Sequence, residues 1–416
     1  MTAPQPRPIE GSLFAPLRLP LYRSIWLATL ASNFGTYIQT VATSWSMTEV
    51  SGRPEMVALV QTAANLPLML FSILAGGLAD LYPRRNLMLI AQSLMLAASA
   101  ALAMTAFAGT VAPAMLLAFT FLIGCGNALH NPAWGASVAD QVPRDLIPRA
   151  IALNALSNNT ARSTGPAVGG VIVALAGASA AFLVNALSYV GMIVILLRWR
   201  PPPQGEVRAR FARSLIEGAC FAWRQRAVSH LLVRVASFTF ATGAIWALMP
   251  LVARDRMQGD AALFGLLFGS FGAGAIGGAV ASDRMRRAIG QDGVIRMGVV
   301  TFSAASATVG LTFSTPLVLI AHFLAGASWV LVLSGFNISL QLSLPRALAG
   351  RVLAIYQTTS FGGLSLGTLF WGWVAAVIGL APAFLIAAIV MLAGGAYGVR
   401  RSLPQPSGEI FSSGGK

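Results

Sequence analysis

Pro143-Arg144-Asp145-Leu146-Ile147-Pro148-Arg149-Ala150-Ile151-Ala152 returns 202 residues later as Pro345-Arg346-Ala347-Leu348-Ala349-Gly350-Arg351-Val352-Leu353-Ala354. The proline, both arginines, one leucine and the last alanine coincide. The same offset carries Gly76, Arg84 and Arg85 onto Gly278, Arg286 and Arg287, and Gly165 and Gly170 onto Gly367 and Gly372. Separate segments sharing one offset mark an internal duplication. Around these anchors the chain divides into twelve long apolar runs, at about 25–48, 56–79, 87–108, 112–135, 149–175, 179–199, 232–253, 261–281, 294–313, 316–342, 350–378 and 381–399. Six runs per copy is an even number, so both copies enter the membrane in the same direction, related by an axis along its normal. The predicted fold is an all-α membrane protein of twelve transmembrane helices in two parallel six-helix repeats.

Composition agrees. Of 416 residues, 56% are hydrophobic and 10% are charged, and the mean hydropathy is +0.72. A soluble domain carries roughly 25% charged residues, whereas twelve crossings of ~20 residues need ~240 apolar positions. Soluble enzymes, DNA-binding domains and disordered chains fit poorly. Cys125 and Cys220 are too few for a disulfide framework or a metal cluster and read as free thiols. The first 24 residues lack the apolar core of a cleavable signal.

Turn residues such as Gly52-Arg53-Pro54, Gly109-Thr110 and Ser314-Thr315-Pro316 join most runs closely. The connection 201–229 differs. It opens Pro201-Pro202-Pro203, holds Arg208, Arg210, Arg213, Arg224 and Arg226, and carries Leu215, Phe221, Ala222 and Trp223, the pattern of an amphipathic helix lying on a membrane surface. It separates an N-terminal bundle, 1–200, from a C-terminal bundle, 230–400; a tail of 401–416 follows. With the N-terminus in the cytoplasm, nearly all arginines fall on the inner side, and the outer loops hold only Arg53, Arg254 and Arg256. The net charge of +15 is therefore an orientation signal, not a nucleic-acid footprint. Both termini are expected in the cytoplasm.

At this point the sequence resembles a family. Gly76-Gly77-Leu78-Ala79-Asp80-Leu81-Tyr82-Pro83-Arg84-Arg85 resembles the major facilitator signature between the second and third helices, with Leu81 and Pro83 departing from it. Ala161-Arg162-Ser163-Thr164-Gly165-Pro166-Ala167-Val168-Gly169-Gly170 resembles the fifth-helix signature of antiporters, with Gly165, Pro166, Gly169 and Gly170 intact. Leu21-Tyr22-Arg23, Asn33-Phe34-Gly35, Asn131-Pro132-Ala133 and Val142-Pro143-Arg144 look like the branch of bacterial efflux proteins that includes the enterobactin exporter. The resemblance covers nearly the whole chain. It implies a secondary transporter exporting a small amphipathic molecule by proton antiport and alternating access. Such a protein sits in the bacterial cytoplasmic membrane and binds its substrate near the midplane between the halves. An importer or uniporter, and a non-transporting receptor or scaffold, are the rival readings.

Ionisable groups deep in a bilayer are costly and face cavities. Three are read there: His130, Arg162 and His322. In the fifth span Asn154, Asn158 and Arg162 recur every four residues and share a face. In the first, Ser32, Thr36, Gln39 and Thr43 form a similar stripe beside Asn33. The fourth offers Asn127, His130, Asn131 and Trp134. The second half offers Thr242, Trp246, Asn337, Gln341, Tyr356, Gln357 and Ser360. These stripes predict one aqueous substrate cavity lined by spans 1, 4, 5, 7, 10 and 11. A bend is expected at Pro166, whose ring crowds the carbonyl of Arg162. Arg162 is expected to face the cavity, paired with carbonyls, with amides such as Asn33 or Gln39, with water or with an anionic part of the substrate. Gly165, Gly265, Gly274 and Gly363, each with a glycine four residues on, read as packing surfaces. A cytoplasmic latch is expected in which Asp80 engages the start of the eleventh span, by Arg351 or by the helix N-terminus, mirrored by Asp283 at the start of the fifth span near Arg149, with Gly76, Arg84 and Arg85 shaping the loop.

No phosphate-binding loop occurs, and Lys416 is the only lysine; no enzymatic activity, cofactor or metal is expected. The expected partners are a small-molecule substrate, protons and the lipid bilayer, with no nucleic acid, and the chain is expected to be a monomer.

Overall fold

The computed structural model describes residues 12–200, 225–344 and 349–399, apart from the side chains of Ser72, Ile73, Asp80, Ala349, Gly350, Arg351 and Val399. The basic connection as far as Arg224, the 401–416 tail, Cys220 and the expected Asp80–Arg351 latch lie outside the described residues. The rest is helical: α1 Pro20–Val50, α2 Pro54–Leu81, α3 Arg84–Phe107, α4 Pro113–Ser137, α5 Ile147–Arg198, α6 Arg226–Leu251, α7 Ala261–Leu311, α8 Thr315–Ser343, α9 Ala349–Ile378 and α10 Leu380–Val399. Prolines open α1, α2, α4, α5 and α8, where the missing N–H is no loss. Asp260 caps α7 by accepting from the Leu263 N–H at 3.0 Å. Among the described residues, eight helices are long and apolar enough to cross a membrane.

α5 and α7 have 52 and 51 residues. A straight helix of that length would run about 75 Å, far more than a ~30 Å hydrocarbon core. Each is broken at one glycine in a left-handed conformation: Gly177 (φ 78°) in α5 and Gly290 (φ 73°) in α7. The chain turns back at each. The end of the second arm of α5 returns to the start of α3, where Arg85 donates to Leu196 O at 2.7 Å and Leu197 O at 3.0 Å. The second arm of α7 begins beside α6, where Arg234 pairs with Asp292 at 3.3 Å, and ends where Arg256 donates to Thr312 O at 3.2 Å. Gly177 and Gly379 (φ 87°) stand 202 residues apart and share this conformation. Pro166 keeps helical dihedrals; the break in α5 falls at Gly177 instead.

The helices pack as two groups. α1 lies on α5, α3 on α4 and α5, and α2 on α4; α7 lies on α8 and α10, and α6 on α9 and α10. The groups meet through α2 against α9 and α5 against α7. Within the first group Tyr22 donates to Ala150 O at 3.0 Å, Trp26 to Leu153 O at 3.1 Å, and Asn33 to Ser157 at 3.0 Å, stapling α1 to the first arm of α5. Gly165 and Gly169 let that arm approach closely: a Cβ on either would sit 2.9 Å from α1, at Tyr37 Cβ and Ile38 Cα.

The paired arginines opening α3 act inside one group. Arg84 donates to Asp140 at 2.9 Å and to Ala136 O at 3.0 Å, holding the end of α4. Arg85 caps the last carbonyls of α5, where the helix dipole favours a cation. Each such charged hydrogen bond is worth about 1.5–3 kcal/mol. Arg84→Ala should therefore lower the melting temperature in detergent by several degrees, while Arg53→Ala, which loses an exposed ion pair with Glu55, should leave it within error.

Candidate functional site

α1 runs from Pro20, near the N-terminus, to Val50 at the opposite end of the bundle, called here the far end. The described contacts between the two groups lie from the middle of the bundle to that end. Thr62 on α2 bonds Thr368 on α9 at 2.9 Å, both hydroxyls buried. On the other side of the seam, α5 and α7 touch backbone to backbone. A Cβ on Gly170 would lie 2.5 Å from Ala261 O, one on Gly265 2.5 Å from Pro166 O, and one on Gly272 2.5 Å from Arg162 O. At the far end a π-helical turn, Val252–Arg256, follows Pro250. It carries Arg254, which donates to Thr48 O and, at 3.4 Å, to Gly52 O, the carbonyls that end α1, while Asp255 holds its Nε at 2.5 Å. A cation on a helix C-terminus is the favourable electrostatic pairing.

Below this seam lie two walls of different chemistry. The first group supplies polar side chains. Arg162 Nε donates to the Tyr37 hydroxyl at 3.0 Å, and Nη2 to Asn158 Oδ1 at 3.3 Å. The amide partners expected for Arg162 are used elsewhere: Asn33 bonds Ser157, and Gln39 accepts from Ser99 at 2.6 Å and from Asn185. A cavity of about 70 Å³ is lined by Thr36, Gln39, Thr43, Gln61, Asn127 and Asn185, among others. It lies entirely within the first group, between α1, α2, α4 and the second arm of α5. At about 30 Å³ per water it holds a few waters, well below the ~300–1,000 Å³ of a drug-sized site.

The second group supplies an aromatic wall. Trp246 on α6 meets Phe271 and Phe268 of α7 edge-on, at centroid separations of 5.2 and 5.5 Å, and Trp329 of α8 at 5.6 Å. Phe268 in turn meets Tyr37 edge-on at 6.3 Å. An unbroken chain of contacts thus leads from the Arg162 guanidinium across the seam to Trp329. Phe268 and Phe271 are buried, whereas Arg162, Tyr37, Trp246 and Trp329 are each partly exposed.

The other expected site residues divide. Asn127 lines the small cavity. Asn154 accepts from Tyr22 at 3.3 Å and belongs to the α1–α5 staple. His130 is buried against Gln92 of α3 at 3.4 Å and stacks on Trp134; it is a packing residue between α3 and α4. Asn131 is exposed and Ser32 partly so. Thr242 is fully buried and returns its hydroxyl to Thr239 O at 2.9 Å. Tyr356 donates to Leu333 O at 2.9 Å, tying α9 to α8. Asn337 accepts from the exposed Gln341 on its own helix, Gln357 is exposed, and Ser360 bonds Tyr356 O at 2.9 Å. None of the second-group residues lines the small cavity. His322 is buried with Nδ1 2.8 Å from Val318 O. Asp283 pairs at 2.5 Å with Arg286 on its own helix, rather than at the start of α5. Gly76 lies inside α2 with open space beside it.

Sequence reading missed Gln61, Asn185, Tyr189 and Thr120. The same four-residue spacing could have found two of them, since Asn185 donates to Tyr189 at 3.1 Å. It also missed a buried charge: the Arg234 side chain is only 6% exposed, paired with Asp292 and placed over the Phe336 ring at 5.3 Å.

Comparison with known proteins agrees with this architecture. The family model described as "Transmembrane secretion effector" matches residues 11–413. The multidrug efflux pump Tap of Mycobacterium tuberculosis is 23% identical over 392 residues, covering 90% of this chain and 92% of Tap. The staphyloferrin A transporter of Staphylococcus aureus is 24% identical over 366 residues, covering 85% and 89%. Among solved structures, the nucleoside transporter NupG superposes with a TM-score of 0.73 over 91% of this chain and 98% of its own, at 12% identity, which speaks for the fold. With efflux relatives along nearly its whole length and a family match from residue 11 to 413, the chain belongs to the transmembrane secretion effectors of the major facilitator superfamily and is a membrane transporter, not an enzyme.

Proposed function

We propose that the protein exports a small amphipathic molecule across the bacterial cytoplasmic membrane, by proton antiport and alternating access. Counting each arm of α5 and α7 separately gives twelve crossings, six in each of two parallel halves, 1–200 and 230–400. Arginine placement puts both termini in the cytoplasm and the far end outside. The observation that carries the reading is the seam: pieces of both halves close the far end above a polar wall and an aromatic wall. That is the arrangement of a transporter open to the cytoplasm. Rocking of the halves about this seam would expose the same walls to the outside. The efflux relatives favour the outward direction of transport. The family's latch of Asp80 at Arg351 belongs to the opposite, outward-open state.

Efflux from preloaded cells tests this reading, using fluorescein as an anionic probe and ethidium as a cationic one. Protein-dependent loss of at least one dye, slowed severalfold by a protonophore, is expected. Efflux of neither dye, or efflux unaffected by the protonophore, would refute the reading.

A further inference from the structure

Resting on the reading of the two walls below the seam as the transport site, we propose that the site selects an amphipathic organic anion. Its carboxylate or comparable oxyanion meets the free edge of Arg162, and its flat apolar body lies on the Trp246–Trp329 face.

The argument begins with charge. Arg162 lies 15 residues into α5, about 22 Å along the helix, deep within a ~30 Å hydrocarbon core. Its hydrogen bonds go to Tyr37 and Asn158 through Nε and Nη2. Nη1 makes none among the described residues. Both partners are neutral, so the charge is solvated but not neutralised. The acidic residues nearest in sequence, Asp140 and Asp145, precede the membrane part of α5, and Asp140 is committed to Arg84. Among the described side chains the other acidic groups, Glu49, Glu55, Asp255, Asp260, Asp283 and Asp292, stand at or near helix ends or breaks. An uncompensated guanidinium at this depth is expensive, and a bound anion is the partner that removes the cost. A guanidinium edge presents donors spaced for the two oxygens of a carboxylate.

Shape is the second element. Tyr37 connects Arg162 to Phe268, and Phe268 connects to Trp246. The anion-binding edge and the indoles therefore belong to one continuous surface spanning the seam. Trp246 and Trp329 lie 5.6 Å apart at an interplanar angle of 58° and form an angled trough rather than a flat stack. Aromatic faces also attract cations. A cation seated on these indoles would, however, share the surface with Arg162 and find no described carboxylate there. The balance favours the anion.

The two halves contribute opposite ends of this site, which suits alternating access. The charged edge comes from α5 and the aromatic face from α6 and α8. A ligand bridging both would be held while the halves rock.

Binding to the purified full-length protein in nanodiscs tests the proposal, with a matched pair of probes: 2-naphthoate and 2-naphthylmethylammonium. They share the ring and differ in the sign of the charge. Wild-type protein should bind the naphthoate about tenfold or more tighter than the ammonium. Arg162→Gln should erase that preference. Arg162→Lys should keep part of it, having the charge without the fork. Trp246→Phe should weaken both probes by a similar factor. Equal or tighter binding of the ammonium by wild-type protein would overturn the proposal, and needs no variant to fold. So would an unchanged preference in a folded Arg162→Gln protein. Ethidium export by a protein that does not prefer naphthoate would leave the exporter reading standing and remove only this inference.

Discussion

Arg254→Ala should move the transporter out of the conformation described here. Arg254 belongs to the second half, yet its guanidinium donates to Thr48 O and Gly52 O at the end of α1. Two charged hydrogen bonds to a helix C-terminus are lost in the variant, each worth about 1.5–3 kcal/mol before water replaces them at this half-exposed site. A net loss near 2 kcal/mol corresponds to a shift of roughly thirtyfold in the balance between far-end-closed and far-end-open states. The readout is labelling of Thr368→Cys, a fully buried seam position where α9 meets Thr62 of α2, in a background lacking Cys125 and Cys220. A membrane-impermeant maleimide added outside should react at least tenfold faster when Arg254 is alanine. An unchanged rate would mean that the contact does not hold the seam. Arg254→Lys should fall between, since an ammonium can reach one carbonyl but not span two.

Gly265→Val should abolish transport with little loss of folded protein. A Cβ at Gly265 would stand 2.5 Å from Pro166 O and 2.8 Å from the Gly170 Cα, both backbone atoms of the opposite half. Backbone cannot turn aside as a side chain can, so α5 and α7 must separate. The cost is that of overpacking, about 1–3 kcal/mol or more, and it falls on the closed seam while leaving the interior of each half untouched. The variant should therefore accumulate far-end-open protein and lose dye efflux by an order of magnitude or more. Gly269→Ala is the contrasting case: its Cβ would meet Ser163 O at 3.1 Å and Ala167 Cβ at 3.3 Å, and a few tenths of an ångström suffice. Efflux should stay within about twofold of wild type. If both variants transport normally, these glycines do not form the working seam.

Of the three far-end arginines, Arg254 reaches across the seam, while Arg53 and Arg256 find partners within their own halves. Each of the three has a specific partner. Arg53 pairs with Glu55, Arg254 with the α1 carbonyls and Asp255, and Arg256 lies over the Phe313 ring at 4.5 Å. The helix-five motif likewise resolves into two jobs. Gly165 and Gly169 seat α5 on α1 inside one half, while Gly170, next in sequence but rotated by about 100°, faces α7 across the seam.

Long apolar runs, their turn residues and the repeat offset were set by the sequence alone, because burying a helix in lipid demands a continuous apolar stretch wherever the helix packs. Gly177 and Gly379 show how local that information is: a helix that doubles back with almost no intervening loop uses a left-handed residue, and the repeat keeps glycine at both places. Arg162 was legible for the same reason, since a charge amid apolar residues announces itself. Its partners were not. Which amide answers which helix depends on rotation and crossing angle, and Gln39 and Asn33 were drawn to Asn185 and Ser157 rather than to the guanidinium. His130, Tyr356 and Thr242 carry polar groups inside spans, yet each is satisfied by a neighbouring helix or its own backbone. A polar stripe records that a helix face avoids lipid; whether it meets a cavity or another helix is decided only when the helices are assembled. Of the aromatic wall, Trp246 reads from the sequence as a cavity residue, whereas Phe268, Phe271 and Trp329, from two further helices, look like ordinary core residues until tertiary packing brings them together beside Tyr37.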